Sequence, residues 1–163
     1  MKLLGAILAL LVLGAVGLVA GALVANRVPL TEPPGVLARL KTYLTTNVAE
    51  TRPEHPFPEL RPRRFQAPAP VVLQAAAEAA TRLGWRDLVV DGEDRRLMAV
   101  VKTPLWGFKD DIVLWVEPGE DDATVLHARS ASRVGKGDLG ANSRHIRDAF
   151  AAVSRILERG RNT

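Results

Sequence analysis

The chain has no cysteine. That excludes a disulfide, a thiol nucleophile and a thiolate-ligated metal. Histidine is scarce as well: His55, His127 and His145 fall on three separate elements, so no metal set is expected. There is no G-x-S-x-G elbow to present a serine nucleophile. Gly135, Gly137 and Gly140 lack the strand, lysine and spacing of a phosphate-cradling loop. A net charge of +4 on 163 residues is too small a balance for a nucleic-acid footprint, despite the high pI. No cofactor is expected.

Charge is also missing from Leu3 to Asn26, an apolar run that extends at ~1.5 Å per residue across a ~30 Å hydrocarbon core. Residues 1–27 are therefore expected to be a transmembrane anchor. The competing reading is a cleaved signal peptide with Ala20-Gly21-Ala22 as its site, but the apolar core is much longer than the usual ~7 to 15 residues. Lys2 before the run favours a cytoplasmic N-terminus, which puts the remaining chain outside the cytoplasmic (inner) membrane, in the periplasm of a Gram-negative host. Arg39 and Lys41 on the other flank weaken that orientation. Gly17, Gly21 and Ala25 set small side chains on one helix face, a spacing that allows weak self-association, although such residues are common in any apolar anchor.

Nine prolines between Val28 and Pro70 exclude long regular elements there, and residues 28–66 are expected to be a linker or strap. One short helix fits between Gly35 and Ala49, where Val36, Leu37, Leu40, Tyr43 and Leu44 form its apolar set, lying on the domain or on the membrane surface. Phe57, Leu60 and Phe65 are the expected anchoring points of the strap, and Arg64 to Gln66 a first edge strand.

Residues 67–163 read as an α+β domain. An alanine-rich helix from about Pro70 to Leu83 stops at Gly84. Strands follow at Trp85 to Val90, Leu97 to Thr103, Asp110 to Glu117 and Thr124 to Ser130, separated by the turn signals DGED, TPLWGF and PGEDD. A last helix carries an apolar stripe at Ile146, Phe150, Val153 and Leu157. Short turns make an antiparallel meander of four to five strands with both helices on one face, by analogy a TBP-like or helix-grip-like β-α-β4-α order. Val125, His127 and Arg129 then point to the other face, joined by Met98, Val100, Val113 and Trp115. Such a half-apolar surface needs a cover, and the proline-rich strap is the expected one, ahead of a ligand, lipid or partner.

The densest block of special residues is Arg129 to Ile146, RSASRVGKGDLGANSRHI. Its glycines open backbone conformations closed to other residues, Asp138 is a candidate N-cap, and Asn142 lies on the inward stripe of the last helix. This run resembles the signature of the DUF1499 family of unknown function, and YLTTNVAET, HPFPEL and FKDD resemble its other marks, over roughly Tyr43 to Arg159. The likeness covers the whole part after the apolar run, supports the fold and the site and confers no activity; together with that run it makes the chain a membrane-anchored bacterial member. Many members of that family carry cysteines where this chain has Thr45 to Thr51, so no disulfide or thiol role is available to that segment here.

Charge is unevenly spread: Glu78 to Thr124 holds 11 acids against 6 bases, and Val125 to Thr163 holds 8 bases against 3 acids. Asp110 and Asp111 are expected to attract Arg129 and Arg133. The candidate set is Asp110, Asp111, Arg129, Ser130, Ser132, Arg133, Gly135, Asp138, Gly140, Asn142 and Arg144. It serves either as an internal salt-bridge and capping network or as a site for an anionic lipid headgroup, glycan or partner at a helix N-terminus. The function expected is a membrane-anchored envelope protein without enzymatic activity. The alternative is an unrecognised hydrolase using the His, Ser and Asp of this loop, which mutual hydrogen-bonding geometry would promote.

Overall fold

Alternation of buried and more exposed residues along the last two strands sets the architecture, because one face of each is packed against the core. The computed structural model of the protein describes residues 2–103 and 107–161. Its elements are α1 (Lys2–Ala25), α2 (Val36–Thr45), β1 (Val48–Glu50), β2 (Arg63–Phe65), α3 (Ala69–Arg82), β3 (Arg86–Asp91), β4 (Arg96–Lys102), β5 (Lys109–Pro118), β6 (Thr124–Ser132) and α4 (Ala141–Gly160), with one 3-10 turn at Pro58–Leu60. The middle of the expected TPLWGF turn, residues 104–106, lies outside the described residues.

The sheet is antiparallel in the order β1-β6-β5-β4-β3, and β2 also pairs β6. It therefore has six strands, not four or five. The extra one is β1, which a three-residue pattern between prolines does not announce. β1 and β2 share one edge of β6: Glu50 faces Arg129, and Arg63 faces Leu126. The chain leaves that edge between them and returns to it.

Register gathers the core. Leu97, Leu114 and Ala128 form one cross-strand row, and Ala99, Ile112 and Ser130 the next. All six are buried, facing α3 and α4. The small side chains of Ala76, Ala79 and Ala80 bring α3 close to the sheet, while α4 contributes Ile146, Phe150 and Val153. α3 ends as expected at Gly84, whose φ of +73° no side chain favours.

The strap does not cover the second sheet face. Phe57 and Leu60 are buried on the helix side, where the 3-10 turn packs against α4 and the Phe57 ring meets Tyr43 edge-on at 5.7 Å. The reason lies in the edge pairing: once β1 and β2 hydrogen-bond β6, the excursion between them turns toward the deeper apolar surface. Met98, Val113, Trp115 and His127 remain partly exposed on the other face, Trp115 and His127 stacked with centroids 5.1 Å apart.

α2 also turns differently from its expected apolar set. Leu37 is 85% exposed and Leu44 49%, while Arg39 and Tyr43 are buried against the domain. Arg39 is thus no free charge on the flank of α1. Its guanidinium bonds Glu59 at 2.6 and 3.0 Å, the Tyr43 hydroxyl at 2.9 Å and the carbonyls of Glu32 and Pro33, and lies 4.4 Å from the Phe57 ring centre.

Candidate functional site

The candidate residues separate into three groups, with Arg144 apart from all of them. The first is a buried polar network between β5, β6 and the start of α4. Asn142 sits on the inward stripe of α4, and its amide nitrogen donates to the Asn47 carbonyl at 2.8 Å and to Ser132 Oγ at 2.9 Å. Its amide oxygen accepts the Ser130 hydroxyl at 2.6 Å. Ser132 in turn hydrogen-bonds the Asp110 carboxylate. Asp110 is 1% exposed, and its Oδ2 has no hydrogen-bond partner among the described residues. Burial pushes the Asp110 carboxyl up, against the hydrogen bond from Ser132.

His145 lies one turn along α4 from Asn142. Its Nδ1 is 3.4 Å from Ser130 Oγ and 3.7 Å from Asp110 Oδ2. Burial, helped by the charge of Arg144, lowers its pKa to about 4, so at neutral pH this contact joins a neutral imidazole to a carboxyl group and is no ion pair. A Ser-His-Asp relay needs the serine on one ring nitrogen and the carboxylate on the other. Here both approach Nδ1, and the Ser130 proton goes to Asn142.

The second group lies on the outer sheet face. Arg133 grips Asp111 with two guanidinium nitrogens, at 2.6 to 3.1 Å, and this exposed pair raises the Arg133 pKa and holds Asp111 below the usual carboxylate range. Arg129 reaches Glu50 at 3.5 Å. Asp110, on the opposite face, meets neither arginine. Alternation along β5 is what separates the two aspartates.

The third group turns the loop into α4. Asp138 accepts the backbone N–H of Gly140 at 2.8 Å and of Asn142 at 3.0 Å, satisfying the start of α4 although Gly140 is the residue at the cap position. Burial raises the Asp138 carboxyl pKa, and those N–H groups hold it back. Gly140 has φ +84°, and a Cβ there would stand 2.6 Å from Val28. Gly137 allows the closest approach: its Cβ would meet the Leu44 carbonyl carbon at 2.6 Å and the Tyr43 oxygen at 2.9 Å. The Gly135 carbonyl accepts from the Asn47 side chain at 2.7 Å.

Arg144 faces the end of α1 together with Arg147, which the sequence did not single out. Arg147 donates to the carbonyls of Asn26 and Arg27 at 2.7 and 2.9 Å, and Arg144 approaches that of Ala25 at 3.5 Å. Arg27 returns a salt bridge to Asp148 at 2.8 Å, and Asn26 donates to the Leu139 carbonyl. These groups take up carbonyls that a helix C-terminus leaves without partners. Asn47 and His145 likewise belong to the buried network. The signal for His145 was its place one turn after Asn142; Asn47 had none, since its partners lie some 85 to 95 residues away.

No curated protein matches the chain. The segments that meet around the start of α4 are those that carried the family resemblance. A family model described as "Protein of unknown function (DUF1499)" covers residues 29–153, and the chain belongs to that family.

Proposed function

We propose that the protein is a single-pass, membrane-anchored envelope protein without enzymatic activity, its domain on the extracytoplasmic side and clamped to the exit of its own membrane helix. The observation that carries this reading is α1 itself. It is a continuous 24-residue helix of mean hydropathy 2.8 over its most apolar window, and only 6% of that window is buried against the protein. A helix so apolar and so little covered is stable in a hydrocarbon surrounding. The arginines of α4 at its last carbonyls turn a tether into a fixed mount.

The geometry of Ser130 and His145 supports a binding role over a hydrolytic one. The ligand side of the proposal rests on the signature loop, where Arg133, paired with Asp111, and Lys136 are exposed and offer charge to a phosphate or carboxylate headgroup.

Two measurements test it. The full-length chain should stay with membranes through an alkaline carbonate wash, and a soluble species beginning at Leu23 would refute the anchor. Millimolar phosphate at constant ionic strength should raise the melting temperature of the wild type, because a ligand that binds only the folded state stabilises it by RT ln(1 + [L]/Kd). No response in wild type would remove the anion reading of the loop.

A further inference from the structure

β1 is an edge strand with one side unused. Asn47 and Thr51 bond β6, through Ser132 N–H to the Asn47 carbonyl and Thr51 N–H to the Ala128 carbonyl, both at 2.9 Å. Antiparallel alternation then points the N–H and C=O of Val48 and Glu50 away from β6. No backbone or side-chain group among the described residues bonds them. An unpaired stretch of this kind is a template for another extended chain.

Along this edge runs a cleft of about 650 Å³, walled by β1, by Tyr43 of α2, by the strap at His55 and Phe57, and by Ser143 in the first turn of α4. That is ample for a short peptide segment. Three of its side chains, Ser143, His55 and Arg52, carry donors with no partner among the described residues. Ser143 is 5% exposed, and its hydroxyl has no partner among the described residues. The His55 Nδ1 accepts the Phe57 N–H at 2.9 Å and also lies 3.3 Å from the Phe57 carbonyl; the shorter contact favours the tautomer with its proton on Nε2, which has no partner among the described residues. Burial and then the charge of nearby Arg52 keep that ring neutral. Arg52 itself is exposed at the cleft and has no side-chain partner among the described residues. Two carboxylates also touch the cleft, but Asp138 already accepts two backbone N–H groups and Glu50 turns to Arg129.

We propose that this cleft binds an extended peptide bearing a carboxylate. The peptide adds to the sheet as a strand, exchanging backbone hydrogen bonds with Val48 and Glu50, and its carboxylate, at the C-terminus or on a side chain, meets Ser143, His55 and Arg52. The occupant is an extended chain because the unused groups are backbone groups at strand spacing. It is acidic because the free side chains are donors and one is a cation. This goes beyond the anion reading of the signature loop and does not depend on it: the arginines of that loop, Arg129 and Arg133, lie on the outer sheet face.

The experiment uses the full-length protein in detergent micelles and a soluble library of randomised octapeptides with free C-termini, selected by affinity and read by mass spectrometry. Val48→Pro is the decisive variant. The N–H it removes points to the open edge, where proline is tolerated, so the sheet keeps its ladder. The expected result is enrichment of carboxylate-bearing peptides by the wild type, with slowed hydrogen exchange at the Val48 and Glu50 amides. Val48→Pro should then weaken an enriched peptide about tenfold while melting close to wild type, and Arg52→Glu should weaken it as well. N-methylation of alternate peptide amides should abolish binding, a test that needs no protein variant and holds even if Val48→Pro fails to fold. No enrichment over Val48→Pro, binding indifferent to N-methylation, or displacement of the peptide by inorganic phosphate or anionic lipid vesicles alone would overturn the proposal. A phosphate-induced rise in melting temperature that leaves peptide binding untouched would report the signature loop and not this cleft.

Discussion

Replacing Arg39 by methionine should be the most destabilising single change in the segment before β2. The side chain is wholly buried, and its partner Glu59 is 9% exposed, so solvent screens this pair little. Methionine fills much of the volume but leaves the Glu59 carboxylate, the Tyr43 hydroxyl and the Pro33 carbonyl without their donor. Breaking a buried pair by removing one partner costs ~3 to 5 kcal/mol, a large share of the ~5 to 15 kcal/mol that holds a domain together. For a chain of this size that is a fall in melting temperature on the order of 10 °C. Arg39→Lys should recover little, because an ammonium cannot serve the forked contacts. The double variant Arg39→Met, Glu59→Met should be milder than the sum of its singles, since no charge is then left buried alone. The pair also dictates a pH dependence. Burial raises the Glu59 pKa, but the hydrogen bond and charge of Arg39 outweigh it, and the net shift is downward from 4.5. A depressed carboxylate stabilises above its unfolded pKa, so this contribution is lost as pH falls below about 4.5. Thermal denaturation of the full chain in detergent, followed by circular dichroism, measures all of this. Additive singles, or an Arg39→Met protein melting within a degree or two of wild type, would refute the reasoning.

Other consequences can be checked on the same preparations. Asn142→Ala removes the hub of the buried network, stranding the Ser130 hydroxyl and leaving the Asn47 carbonyl with the Ser132 N–H as its one donor, and should cost about 2 to 4 kcal/mol in denaturant titrations. His145 stays neutral in the fold down to about pH 4 while the unfolded chain takes up its proton near 6.5, so wild type should lose ~3 kcal/mol between those values. Asp110, pushed upward by burial, works in the opposite sense, and His145→Asn should flatten the loss between pH 6.5 and 4. Gly137→Ala forces a Cβ against the backbone of Leu44 and Tyr43, neither of which can swing aside, and should lower the melting temperature well beyond the effect of Gly84→Ala, where only the positive φ opposes the change. Arg133→Ala, by contrast, breaks an exposed pair and should leave the melting temperature within experimental scatter; a large fall would show that the outer face is structural.

The α+β plan was legible because its signals are periodic and local. The β4 to β6 meander, the stop of α3 at Gly84 and the stripe of α4 follow from alternation, from positive-φ glycines and from spacings of three and four. Asn142 was legible for the same reason, since the stripe that buries Ile146 also buries its amide. What could not be read was the partner of each buried polar group, which depends on long-range pairing. Asp110 and Asp111 look alike as neighbours, yet alternation sends one inward to Ser132 and the other outward to Arg133. Arg39 was read as a surface charge because nothing local shows that Glu59, twenty residues on, folds back over it. β1 was hidden by its length, and with it the true course of the strap.

The broken edge of β6 also bears on the order in which the chain is made. Asn26 finds Leu139 and Arg27 finds Asp148 across 113 and 121 positions of sequence, while β1 and β2 need β6, which emerges about 60 to 80 residues after them. The segment nearest α1 is therefore synthesised well before the strand and helix that hold it. Until β6 leaves the ribosome, β1 and β2 have no strand to pair with, and a nascent chain halted before Thr124 lacks the partner that fixes both ends of the strap. Proline there excludes the helices and ladders that would otherwise trap it early, which keeps the segment extended and available until β6 and α4 close over it.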